Sequence, residues 1–193
     1  MIKSKAMIVI HPDDPTTAFL MPLYEADGQT DLYTQAHSNA AIRHALNHKT
    51  YQGETVMMLG HGCEYGLLAN SSPGRKFDRL IINSSHAQFL RGKQCIAIWC
   101  NADKFGAWYG LQGLFSGMII SEMEEARLYN IQTTPEEIAA ENERLTRLVA
   151  RALKETNYLS EVPDYIEMLA EPLETPLQQF NYRNFHYFGG KEK

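Results

Sequence analysis

Short apolar runs of strand length alternate along this chain with amphipathic stripes of helical period. Residues 6–10 are apolar and β-branched, and His11-Pro12-Asp13-Asp14-Pro15 ends the run with two prolines and two turn formers. Residues 16–25 show no clear period, and Ala26-Asp27-Gly28 reads as a turn. Residues 30–34 predict a second strand. Ser38 then predicts the N-cap of a short helix with Ala41, Ile42, Ala45 and Leu46 on its apolar face.

The two clearest apolar runs, residues 54–59 and 94–99, each lead into a reactive side chain, His61 followed by Gly62 in the first case and Cys100 in the second. Between them, residues 63–69 suit a small hairpin, 70–74 have strong turn chemistry, and Ser84-Ser85 predicts the cap of a helix through Leu90. That is a crossover of the usual length between parallel strands. Gly117-Met118-Ile119-Ile120, within 116–121, predicts the next buried strand. Thr134-Pro135-Glu136-Glu137 is a capping box with proline at the first helical position, and Ile138, Leu145, Val149, Ala152 and Leu153 mark the stripe of a helix ending near Thr156. Residues 161–179 hold a further short helix, and the aromatic-rich 180–188 packs down as a finishing segment.

Alternation of strand and helix predicts an α/β fold of three layers around a mostly parallel sheet. At 193 residues, 44% hydrophobic, the chain reads as one domain, 1–193. The net charge of −5 and the absence of a Lys/Arg block argue against nucleic acid as a partner. No stretch reaches the apolar length of a membrane span, and the N-terminus reads as a strand rather than a signal peptide. Three cysteines, Cys63, Cys95 and Cys100, are odd in number, which argues against a disulfide framework and for a reducing, cytoplasmic setting.

If the strands before His61 and Cys100 are parallel neighbours, both residues lie on one rim, where open α/β sheets bind their ligands. The residue types suit thiol chemistry. A free thiol is mostly protonated at neutral pH, and an imidazole beside it removes that proton or protonates a leaving amine. Glycine after the histidine lets a backbone amide come close to a developing oxyanion.

An apolar strand ending in His-Gly, followed about forty residues later by one ending in Cys, resembles the caspase-like (clan CD) cysteine peptidases. The resemblance spans roughly residues 6–121. It implies a caspase-like α/β fold, His61 as general acid or base, the Gly62 amide in the oxyanion hole, Cys100 as nucleophile, a peptide or protein as substrate, and no cofactor or metal. The caspase signature Gln-Ala-Cys-X-Gly is absent: Cys100 stands between Ile98-Trp99 and Asn101-Ala102-Asp103. By the same resemblance, Asp13 and Asp14 after the first strand, and Asp103 past the nucleophile, are candidates for a substrate pocket. A carboxylate there would select Arg or Lys. Glu64 is a candidate for orienting His61. Cys63 is a competing thiol, and Cys95 is expected in the core.

Two other readings stand beside this one. The chain could keep a caspase-like fold as an inactive binding or regulatory module, since fold does not dictate function. His11-Pro12-Asp13-Asp14 also resembles the opening of the zinc site in N-acetylglucosaminyl deacetylases, which implies a zinc-dependent hydrolase using His11, Asp13 and Asp14.

Overall fold

The computed structural model describes residues 7–25, 30–49, 54–71 and 77–189. The turn expected at 26–28 and most of the loop at 70–74 lie outside the described residues, as does residue 6 at the start of the first expected strand.

In chain order the elements begin with β1 (Met7–Ile10), a 3-10 helix (Pro15–Leu20), α1 (Pro22–Glu25), β2 (Thr30–Tyr33), α2 (Asn39–His48) and β3 (Thr55–Leu59). Then come β4 (Gly62–Cys63), β5 (Gly66–Ala69), β6 (Arg79–Ile82), α3 (Ser84–Leu90), β7 (Gln94–Ile98), α4 (Ala102–Tyr109) and β8 (Gln112–Ser116). The chain finishes with α5 (Met123–Leu128), α6 (Pro135–Glu155), a 3-10 turn (Leu159–Glu161), α7 (Val162–Ala170), α8 (Pro176–Tyr182) and β9 (Phe185–Phe188).

Six strands form the central sheet in the order β2-β1-β3-β7-β8-β9. All pairs are parallel except β8 with β9. The fold is therefore mixed α/β around a mostly parallel sheet. Alternate residues of each strand feed opposite cores, as the pleat requires. Ile8, Ile10, Val56, Met58, Cys95, Ala97 and Phe115 face α2, α3 and α4. Val9, Met57, Leu59, Ile96, Ile98 and Leu114 face α6 and α7. Burial on both faces explains why these strands read as continuous apolar runs.

Several local expectations hold. Ser38 caps α2 through Ala41 N, and Thr134 and Glu137 form the reciprocal box of α6. The hairpin of β4 and β5 is present and gains β6 as a third antiparallel strand.

Three expectations are corrected. Asn83, not Ser84 or Ser85, caps α3 by accepting from Ser85 N. Ala41 is exposed, so the apolar face of α2 is Ile42, Ala45 and Leu46. The strand after α4 is β8, and residues 117–120 have left the sheet. The Asn181 side chain amide takes the place of a strand neighbour there, accepting from Ile120 N at 2.8 Å and donating to Ile120 O at 2.9 Å. Ile119 and Ile120 enter different apolar clusters, which produces the two-sided burial that mimics a strand.

The sheet order determines where a site can form. The chain places β2 on one side of β1 and β3 on the other, so the carboxyl ends of β1 and β3 flank a switch point in strand order. A crevice is expected at such a point. His11 to Leu20 follow β1, His61 follows β3, and Cys100 follows the adjacent β7.

Candidate active site

Leu59 pairs in register with Ile98, so His61 and Cys100 leave neighbouring parallel strands on the same rim. Both line one narrow cavity of about 20 Å³, together with Thr17, Leu20, Ile119 and Ser121. That space holds about one water.

A sharp turn presents Cys100. Ala102 N donates to Trp99 O at 3.1 Å, and Asn101 takes the left-handed conformation, φ 65°, between strand and helix. Asparagine is among the few residues other than glycine that accept this conformation readily.

The imidazole of His61 is buried and held from β1's side of the crevice. Its Nε2 lies 2.6 Å from Thr16 Oγ1. Thr16 Oγ1 in turn donates to Asp14 Oδ1 at 2.7 Å. With its own hydrogen given to Asp14, the threonine oxygen can only accept from His61, which puts the ring proton on Nε2 and leaves Nδ1 as the basic nitrogen. Asp14 also caps the 3-10 helix through Thr16 N, and Thr146 of α6 donates to Phe19 O at 2.7 Å, fixing the same helix from above. Phe77 packs on the imidazole with ring centroids 5.1 Å apart.

Thr16 falls in the stretch without a hydrophobic period, and its role was not legible there. The Asp14-Pro15 pair was the available signal, being an N-cap followed by proline at the first helical position. Thr16, rather than Glu64, meets the Nε2 of His61.

The Cys100 thiol is half-buried and donates toward two acceptors, Glu125 Oε1 at 3.4 Å and Ile119 O at 3.5 Å. Burial, then the charge of Glu125, pushes the thiol well above its ordinary range. Cys95 is sealed in the core, where burial pushes it up to about 12. Cys63 is half-buried, and its carbonyl accepts from Trp99 Nε1 at 3.1 Å.

Gly62 has a packing duty of its own. A Cβ at this position would stand 2.0 Å from Trp99 Cδ1 and 2.8 Å from Gly66 O. Trp99 is fully buried and cannot retreat. Gly62→Ala is expected to cost about 2–3 kcal/mol by overpacking, measured as a lowered urea midpoint.

None of the three acidic pocket candidates enters the wall of the His61–Cys100 cavity. Asp14 serves Thr16 instead. Asp13 is exposed on the rim, with its backbone clasped by the Gln35 side chain. Asp103 sits in the first turn of α4 with Oδ1 buried and without a hydrogen-bond partner.

His11, the nucleus of the zinc reading, is engaged at both nitrogens. Nδ1 lies 3.1 Å from Tyr24 Oη, and Nε2 lies 3.1 Å from Thr17 Oγ1. Among the described residues no group of three or more His, Cys, Asp or Glu side chains is placed to share a metal ion. Nor is any helix among them long and apolar enough to cross a membrane.

No protein-family model matches this chain, and no curated protein matches it significantly.

Proposed function

We propose that the protein is a thiol-dependent hydrolase of peptide bonds, a cysteine peptidase on a caspase-like α/β domain. The observation that carries this reading is that His61 and Cys100, at the carboxyl ends of adjacent parallel strands, line one cavity. The Asp14–Thr16–His61 chain adds support, because a base oriented by a further group is the working arrangement of nucleophilic catalysis.

In the proposed cycle the Cys100 sulfur bonds to the substrate carbonyl carbon while its proton passes to His61. His61 returns that proton to the leaving nitrogen as the C–N bond breaks, which leaves a thioester. Water then attacks the thioester carbon, giving its proton to His61, and the sulfur departs and regains a proton. Backbone amides near Gly62 and Cys100 stabilise the oxyanion. Asp13, exposed on the rim, is the carboxylate offered to a basic substrate side chain. Three free cysteines suit a reducing, cytoplasmic setting.

A second reading, a caspase-like binding module without hydrolysis, is favoured by one observation: the Cys100 thiol is engaged by Glu125 and Ile119. Labelling separates the two. A set of peptidyl chloromethyl ketones with basic and neutral terminal residues is expected to alkylate Cys100 ahead of Cys63 and Cys95, located by peptide mass spectrometry, and His61→Ala is expected to suppress the reaction. Labelling that ignores Cys100, or that does not depend on His61, decides for the binding module.

A further inference from the structure

Glu125 lies far from the strand motifs, yet its carboxylate is one of the most firmly fixed groups at the site. Oε2 accepts from Ser121 N at 2.7 Å, Ser121 Oγ at 3.1 Å and Glu122 N at 3.1 Å, which leaves Oε1 to meet the Cys100 thiol. The segment that carries it is anchored on both sides. Asn142 of α6 donates to Ser121 O at 3.0 Å, and Asn181 of α8 brackets Ile120. Ile120 and Ala126 are buried with Ile138 and Leu177. The carboxylate is thus held in place by the protein core.

We infer that Glu125 is a positioning residue for the nucleophile: its fixed carboxylate takes the thiol hydrogen bond of Cys100 and keeps the sulfur protonated until His61 removes the proton during attack. Its part in catalysis rests on the hydrolase reading above; its effect on the thiol does not. The titratable groups bearing on the sulfur are Glu125 and Glu122 from the α5 segment and His61 across the cavity. Two of the three are acids, so a standing thiolate beside them meets like charge, and the upward displacement of the thiol, caused first by burial and then by the charge of Glu125, agrees with that. The chemistry that follows is concerted general-base attack rather than reaction of a preformed thiolate–imidazolium pair.

The test is the pH profile of Cys100 alkylation by iodoacetamide on the intact folded chain, read by peptide mass spectrometry without any substrate. In the unmodified protein the midpoint is expected above the value of about 8.5 of a free cysteine. Glu125→Gln keeps a side chain able to close the helix cap but removes the charge. Its midpoint is expected to fall, with Cys100 alkylated about tenfold faster at neutral pH. Glu122→Gln is expected to have a smaller effect. A purely structural Glu125 would leave the midpoint where it is in Glu125→Gln, and that result overturns the inference. So does a midpoint at or below about 8.5 in the unmodified protein, a measurement that needs no variant to fold. If the midpoint moves as expected while no chloromethyl ketone labels Cys100, the hydrolase reading fails and the control of the thiol by Glu125 stands.

Discussion

On the proposed hydrolase reading, Cys100→Ala is expected to abolish peptide hydrolysis, with kcat/KM falling by at least about 10⁴-fold, because no other group would take over a lost nucleophile. The structure sharpens the expectation for the other thiols. Cys95 is fully buried in β7 and Cys63 contributes its backbone carbonyl, so replacing either side chain is expected to leave the Cys100 sulfur in place. Thr16→Val keeps the shape of the side chain but breaks the link from Asp14 to His61. It is expected to lower kcat by about ten- to a hundredfold, the worth of a hydrogen bond to a group that becomes charged, with KM little changed. Thr16→Ser restores the hydroxyl and most of the rate. Activity that survives Cys100→Ala would remove the assignment, and a Thr16→Val variant as active as the parent would remove Thr16 from it.

Acid is expected to unfold this protein earlier than its carboxylates alone require. Two histidines are buried, His11 just after β1 and His86 in α3. Burial lowers His11 to about 4, against the opposing pull of Asp13 and Asp14. Burial, then the charge of Arg43, lowers His86 to about 4 as well. His86 accepts from Asn83 N at Nδ1, so the neutral ring carries its proton on Nε2, and a second proton on Nδ1 would displace that hydrogen bond.

Both groups titrate lower in the folded state than their ordinary 6.5, so the unfolded chain takes up protons first as the pH falls. Their contribution is complete above about pH 6.5 and is lost between there and about pH 4. At pH 5 each histidine withdraws about 2 kcal/mol, about 4 kcal/mol together, a large share of the 5–15 kcal/mol typical of a domain. Urea midpoints at pH 7.5 and 5 check this. The chain carrying His11→Gln and His86→Gln is expected to show a much flatter dependence, and an equally steep one would refute the assignment.

What the sequence determined by itself was local. Apolar runs of strand length located β1, β3 and β7, because strands buried on both faces need apolar residues at every position. Capping chemistry located α2 and α6, since an orphaned helix terminus needs a particular side chain within reach. Two short motifs then marked His61 and Cys100. Their shared rim needed one assumption, that the strands are parallel neighbours, and the register of Leu59 with Ile98 supplies it.

The remainder depends on contacts between segments with no local signature. Thr16 reaches His61 across 45 residues and Glu125 reaches Cys100 across 25. Neither is marked by any hydrophobic period, because each partner is chosen by how the strands are ordered and where α5 is anchored. Residues 117–120 make the same point in reverse. Their apolar run satisfied the pattern of a strand, but the Asn181 amide answers their backbone from outside the sheet. Chain chemistry dictates which groups must be satisfied, and tertiary packing decides by whom. The partners that set the charge and orientation of the site were therefore visible only in the fold.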